Sequence, residues 1–246
     1  MAQNISPSRH PAHQPVVITL DGPAGSGKSA VAHQLARYLG FQHLDTGAMY
    51  RAVTLDAIER GITQNPQAMA SRVGELNLDF DWNRQPAHIL LNGRDVSEAI
   101  RTPEVTRLTY VSADNTAVRT VLVDCQRRIA EKAGRIVTEG RDQGTIVFPD
   151  AICKFYLDAD IDVRADRRIN ELAKKGVLVT KIKMVEELKN RDAQDKSRAI
   201  GGLAVASGAI IVDTTLLTLK QVVEELARRA AEKIAGAAGA ADAVKP

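Results

Sequence analysis

Residues 16 to 32 read VVITLDGPAGSGKSAVA, and no other stretch restricts the fold as much. Gly22, Gly27, Lys28 and Ser29 satisfy G-x-x-x-x-G-K-[ST], with Gly25 as an extra glycine inside. The β-branched run Val16 to Leu20 predicts a buried strand of a parallel sheet. Ala30 to Leu39 predicts a helix ended by Gly40. Between strand and helix, glycines let successive backbone N–H groups converge on one anion, and the helix N-terminus adds partial positive charge. Gly22, Pro23, Ala24, Gly25, Ser26, Gly27, Lys28, Ser29 and Ala30 are therefore the candidate cradle for the phosphates of ATP. Lys28 would reach the terminal phosphates and the Ser29 hydroxyl would ligate Mg2+. The bland alternative is a glycine-rich turn that only caps a helix.

Four more apolar runs predict central strands: Gln42 to Leu44, Arg135 to Glu139, Cys153 to Leu157 and Ala209 to Val212. Helical patterns separate them over Gly47 to Arg60, Pro103 to Ala113, Thr116 to Ala133, Asp162 to Lys174, Lys181 to Asp192 and Leu219 to Ile234. Thr102-Pro103 and the Thr218–Gln221 capping box mark helix starts. Strands alternating with helices predict a doubly wound parallel sheet with ligands at the carboxyl ends of its strands. From Leu76 to Trp82 the even positions are apolar at strand period. Ala87 to Leu91 continues after a turn, and Asn92-Gly93 signals a hairpin. This stretch predicts a small antiparallel insert over residues 62–101, inside a core of 15–61 and 102–235. Residues 1–14 and 236–246 read as disordered tails.

Composition narrows the partners. Net charge is +3, too balanced to argue for a nucleic-acid or membrane surface. The longest apolar stretch, near Gly201 to Val212, is too short to span a bilayer, and the N-terminus lacks the apolar core of a secretory signal. Cys125 and Cys153 form no C-x-x-C pair and read as buried thiols in a reducing cytoplasm.

Beyond the glycine loop, charged residues gather at strand ends. LDTGAMYR (Leu44 to Arg51) sets Asp45 and Thr46 at a helix mouth, with Tyr50 and Arg51 one turn in. TEGRDQGT places Glu139, Arg141 and Asp142 just after the third core strand. VRADRR sets Arg164, Arg167 and Arg168 on one helix face, and NRDAQDKSR spaces Arg191 and Arg198 around Asp195. Asp160 and Asp162 could simply pair with Arg164 and Arg168 on a solvated face. Arginine is, however, the side chain best suited to bidentate phosphate recognition.

The motifs DGPAGSGKS, LDTGAMYR, IRTPEV, EGRDQGT-VFPDA, RADRR and RDAQDKSRA occur in family order between Val16 and Thr215. Together they resemble the bacterial cytidylate kinase family of nucleoside-monophosphate kinases. That resemblance implies a phosphate-loop α/β fold whose five-stranded parallel sheet has the order 2-3-1-4-5, a monophosphate-binding insert, and a helical lid over residues 160–200. It implies phosphorylation of CMP and dCMP to CDP and dCDP by ATP with Mg2+. By position, Thr46 and Arg51 would meet the acceptor phosphate with Arg141 and Arg191 closing on it, and Tyr50 would belong to the substrate-binding set. Thr109, Arg119 and Asp142 would read cytosine, and Asp195 and Arg198 would lie near sugar and phosphates. Lys28, Arg141, Arg164, Arg168 and Arg191 form the implied catalytic set, with Ser29 and Glu139 toward the metal. The chain departs from the family at VSADNTAVR, Val111 to Arg119, one residue longer than the usual proline-bearing segment. The expectation is a cytoplasmic monomer without nucleic-acid or membrane partners. Rival readings are a kinase for UMP, AMP or shikimate, a nucleotide switch (disfavoured by the lack of an N-K-x-D segment) and a nucleic-acid-dependent ATPase.

Overall fold

A computed structural model describes residues 15–174 and 176–242; the expected tail 1–14 lies outside them. Five strands form the parallel sheet: β1 (Val16–Asp21), β2 (Gln42–Asp45), β6 (Arg135–Gly140), β7 (Cys153–Asp158) and β8 (Ile210–Asp213). Three short strands, β3 (Leu78–Asp81), β4 (His88–Leu91) and β5 (Arg94–Asp95), form a separate antiparallel sheet. The large sheet runs β2-β6-β1-β7-β8. In whole-chain numbers this differs from the expected 2-3-1-4-5, because the small sheet takes three of the numbers; counted among the five parallel strands alone, the order is 2-3-1-4-5.

Strand alternation explains why the parallel strands read as unbroken apolar runs. Val17 and Ile136 face one apolar cluster, while Ile18 and Val137 face the other. Helices α1 (Lys28–Leu39) and α9 (Leu219–Asp242) cover the second face, burying Val31, Leu35, Val222 and Leu226. Helices α2 (Thr46–Glu59) and α6 (Thr116–Ala133) cover the first through Met49, Val53, Leu122 and Ile129. The small sheet shares that cluster, since Leu78, Phe80, Ile89 and Leu91 pack into it. Asn92 (φ 52°) and Gly93 (φ 79°) take the left-handed conformations that the Asn-Gly turn requires. Buried Asp56 of α2 further ties in α3 (Pro66–Val73), accepting from Arg72 Nε (3.0 Å) and Nη2 (3.2 Å).

Several boundaries differ from the sequence expectation. Helix α3 was not anticipated, although Asn65 caps it and Pro66 opens it. The stretch Pro103 to Ala113 divides into α4 (Pro103–Leu108) and α5 (Tyr110–Ala113). The stretch 160–200 holds two helices, α7 (Ile161–Ala173) and α8 (Lys181–Ser197), the latter five residues longer than expected. The tail expectation over 236–246 is corrected for its first part. Helix α9 continues to Asp242, because the AGAAGAAD stretch is rich in alanine, the strongest helix former, which outweighs its two glycines. Residues 243–246 lie outside the described part. Among the described residues no helix is long and apolar enough to cross a membrane.

Candidate active site

The glycine loop leaves the carboxyl end of the central strand β1 and enters α1 through Gly27 (φ 90°). Gly22 (φ 148°) is required twice over, since a Cβ there would overlap the Leu157 carbonyl of β7. Lys28 is buried beneath the loop and donates to the Pro23 carbonyl (2.6 Å) and Ser26 Oγ (3.3 Å). Burial, and then the cations Arg141 and Arg191, lower its pKa well below the usual lysine range. An ammonium so placed gains most from an anion that restores its charge balance. Ser29, by contrast, is exposed at the first turn of α1.

Beside the loop, β2 and β6 end in register, with Asp45 opposite Glu139. Asp45 caps α2 by accepting from the Ala48 N–H (2.9 Å) and pairs with Arg51 Nη2 (3.1 Å). Burial alone would raise the Asp45 pKa, but Arg51 and His43 outweigh it and hold it low. Thr46 turns its hydroxyl back to the Glu139 carbonyl (2.6 Å), tying α2 to β6. Arg51 Nε and Arg119 Nε are buried without a hydrogen-bond partner, two donors that a ligand oxygen would satisfy.

Asp142 and Arg119 meet in a buried ion pair through Asp142 Oδ2 and Arg119 Nη2. Arg119 also lies over the Tyr50 ring, 5.4 Å from its centroid. Burial raises the Tyr50 pKa, so its hydroxyl stays a donor. Thr109 is set apart at the break between α4 and α5, where its hydroxyl donates to the Val105 carbonyl (2.7 Å).

The arginines of α7 and of the end of α8 divide into two groups. Arg164 is buried and donates to the Ala24 carbonyl of the glycine loop (2.9 Å) and to Asp192 Oδ2 (2.7 Å). Asp192 Oδ1 accepts the Ala24 N–H (3.2 Å), so α7 and α8 together clasp the loop. Arg167 reaches Thr214 through Oγ1 (3.0 Å) and O (2.6 Å). Arg168 instead points outward to Glu171 (2.7 Å). Nearer the sheet edge, Asp195 takes Arg141 Nε on one oxygen (2.6 Å) and Arg198 Nη2 on the other (2.6 Å). Burial would raise the Asp195 pKa; Arg141 and Arg198 outweigh it and keep the carboxylate ionised. Arg191, one helical turn before Asp195, is exposed and faces the cation Arg141.

Sequence reasoning missed four participants. Asp21 accepts the backbone N–H groups that follow Asp142. Asp192 and Thr214 hold Arg164 and Arg167. Gly201 (φ 68°) lies against the Arg119–Asp142 pair so closely that a Cβ would overlap Arg119 Nη2 and Asp142 Oδ2. Asp21 and Asp192 stand inside DGPAGSGKS and RDAQDKSRA, and Gly201 in the Gly-Gly pair that follows the latter, whereas Thr214 left no local signal.

Glycine loop, buried lysine and converging arginines all suit phosphate oxygens and define a phosphate-loop nucleotide-binding protein. It matches the family described as cytidylate kinase across residues 18–232. The chain belongs to that family, whose members are phosphotransferases that use ATP and a phosphate acceptor. A cytidylate kinase from Caldanaerobacter subterraneus subsp. tengcongensis is 44% identical over 211 residues, covering 86% of this chain and 92% of the relative. One from Pelotomaculum thermopropionicum is 44% identical, covering 86% of this chain and 94% of the relative. One from Nocardia farcinica is 41% identical, covering 89% and 95%.

Proposed function

We propose that this chain transfers the γ-phosphoryl group of ATP to CMP and dCMP. The observation that carries the base assignment is the buried Arg119–Asp142 pair at the carboxyl end of β6, beside the glycine loop. It offers one acceptor and one donor side by side. Cytosine presents the complement, an amino donor at position 4 and acceptors at N3 and O2. Uracil reverses two of these groups and would leave buried partners unpaired, a mismatch that can discriminate by ~10⁴.

The acceptor is an ionised phosphate oxygen, so no strong general base is needed; positioning and charge cancellation suffice. In this reading Arg51, Arg141 and Arg191 fix the acceptor phosphate, with Thr46 holding the α2 mouth against β6. Asp195 and Arg198 orient the sugar. Lys28 neutralises the phosphates of the donor nucleotide, and the cationic side chains of the lid helices exclude water as they close. Among the described residues no group of three His, Cys, Asp or Glu side chains could hold a metal. That fits Mg2+, which takes one or two protein oxygens and completes its shell with phosphates and water. Ser29 and Glu139 would hold it. When bound, the ion shields charge on the phosphate oxygens.

Initial rates with ATP and a panel of CMP, dCMP, UMP and AMP test the assignment. CMP and dCMP should give the highest kcat/KM. A UMP or AMP value equal to theirs would overturn the reading of Asp142 and Arg119.

A further inference from the structure

We propose that Asp114 is a positioning residue that clamps the end of lid helix α8 to the nucleobase side of the site, an inference that rests on the CMP assignment above. Asp114 lies in the turn between α5 and α6, within the Val111 to Arg119 segment that carries the extra residue. Its Oδ1 accepts from Arg198 Nε (2.7 Å) and its Oδ2 from Gln194 Nε2 (2.6 Å). Both donors sit at the C-terminal end of α8, at least 80 residues along the chain.

Arg198 is held from both sides. While Nε faces Asp114, Nη2 pairs with Asp195, and Asp195 in turn takes Arg141. Burial would lower the Arg198 pKa, but its bond to Asp114 and the Asp195 charge outweigh that and raise it. The backbone of the same turn reaches the other half of the site, since the Ala113 carbonyl accepts from Arg119 Nη1 (3.0 Å). Neighbouring residues thus hold the arginine that faces the base and the arginine that faces the sugar and phosphate. An isolated exposed ion pair contributes little. Here one carboxylate takes two donors from one helix end, and one of those donors continues into a buried network, which is where such contacts gain strength.

The geometry assigns Asp114 to acceptor binding and lid placement rather than to ATP binding or fold stability. Asp114→Ala should raise the KM for CMP roughly tenfold, the scale of one charge-assisted contact. The KM for ATP should stay within about twofold, and Tm should fall by no more than about 5 °C, the scale of one or two lost contacts in a chain of this size. Asp114→Asn, which replaces one acceptor oxygen by a donor, should act in the same direction. If Asp114 works through Arg198, the double variant Asp114→Ala/Arg198→Ala should bind CMP no worse than Arg198→Ala alone. An unchanged KM for CMP, or fully additive effects, would overturn the proposal. Wild-type turnover of CMP separately tests the functional assignment. Independently of any substrate, backbone hydrogen exchange across residues 191–203 should quicken about tenfold in Asp114→Ala, as expected for a locally loosened segment. Exchange identical to wild type would remove the clamp.

Discussion

Asp21 of β1 accepts the backbone N–H of Gly144 through Oδ2 (2.7 Å), while its Oδ1 takes the N–H of Gln143 (2.9 Å). The last residue of the central strand thereby fixes the chain that follows Arg141 and Asp142. Burial raises the Asp21 pKa to about 6, only partly offset by those two N–H groups. A folded-state pKa above the ordinary 3.8 means that the native state holds this proton more tightly than the unfolded chain. The associated stability is present below about pH 4 and is lost as pH rises through about 6. As pH rises from 4 to 7 the melting temperature of wild type should therefore fall relative to that of Asp21→Asn, so that the variant's deficit shrinks and then reverses. The change should be on the order of 3 kcal/mol, superimposed on a constant loss of one accepted hydrogen bond. Parallel curves would show that Asp21 does not titrate in this window.

Lys28→Ala should lower kcat by about 10²–10³, the typical cost of deleting a donor to developing phosphate charge. Calorimetric CMP affinity should survive, because Lys28 lies beneath the donor loop and touches Pro23 and Ser26. A near-normal kcat would refute the assignment of the loop.

Much of this was legible in the sequence because the signals were local. The glycine loop announces itself in eight residues, and the parallel strands are apolar on both faces. The start of α3 was written in Asn65-Pro66, but its short, mostly polar span masked it. The end of α9 was misread because glycine suggested disorder where alanine propensity extends the helix. What could not be read were pairings over distance. Asp21 meets Gly144 across 123 residues and Arg164 meets Ala24 across 140, and nothing in the neighbouring residues of either foretells its partner. The same is true of Arg119 and Asp142, which spacing alone could not show to be in contact.

That contact makes Asp142→Asn informative. The amide adds a donor where cytosine also donates, so the preference for CMP over UMP in kcat/KM should shrink by at least about tenfold. Weakening a buried ion pair should also lower Tm, since Arg119 keeps its charge while its partner loses its own. An unchanged substrate ratio would move base reading to other residues.

Gly201→Ala should be damaging, because Gly201 is buried against the Arg119–Asp142 pair. The backbone there is left-handed at φ 68°, and the added methyl would overlap both Arg119 and Asp142. Relieving that overlap requires the pair to move, with strain of about 1–3 kcal/mol. The kcat/KM for CMP should fall by roughly tenfold or more. Gly202→Ala is not a neutral control, because a Cβ there would stand 3.0 Å from the Lys196 carbonyl. Gly208→Ala has the same positive φ with nothing within 4 Å, so it isolates the backbone cost. If the two alanine variants at 201 and 208 behave alike, the contact with the Arg119–Asp142 pair has no consequence.

The arginines of α7 separate structural from catalytic cation in one experiment. Arg164 is buried between the Ala24 carbonyl and Asp192, so Arg164→Ala leaves a partly buried carboxylate without its partner. Such losses cost about 3–5 kcal/mol, which for a chain of this size lowers Tm by roughly 5–15 °C. Among the described residues Arg168 pairs with exposed Glu171 alone, so Arg168→Ala should leave Tm within about 2 °C. If Arg168 closes onto phosphate, kcat should nevertheless fall, and Arg168→Lys should recover it only in part, because an ammonium cannot form the bidentate fork. Arg191→Ala should behave as Arg168→Ala does. Wild-type kcat in both variants would confine catalysis to the glycine loop and the β6 edge, leaving α7 and α8 as a scaffold for Ala24.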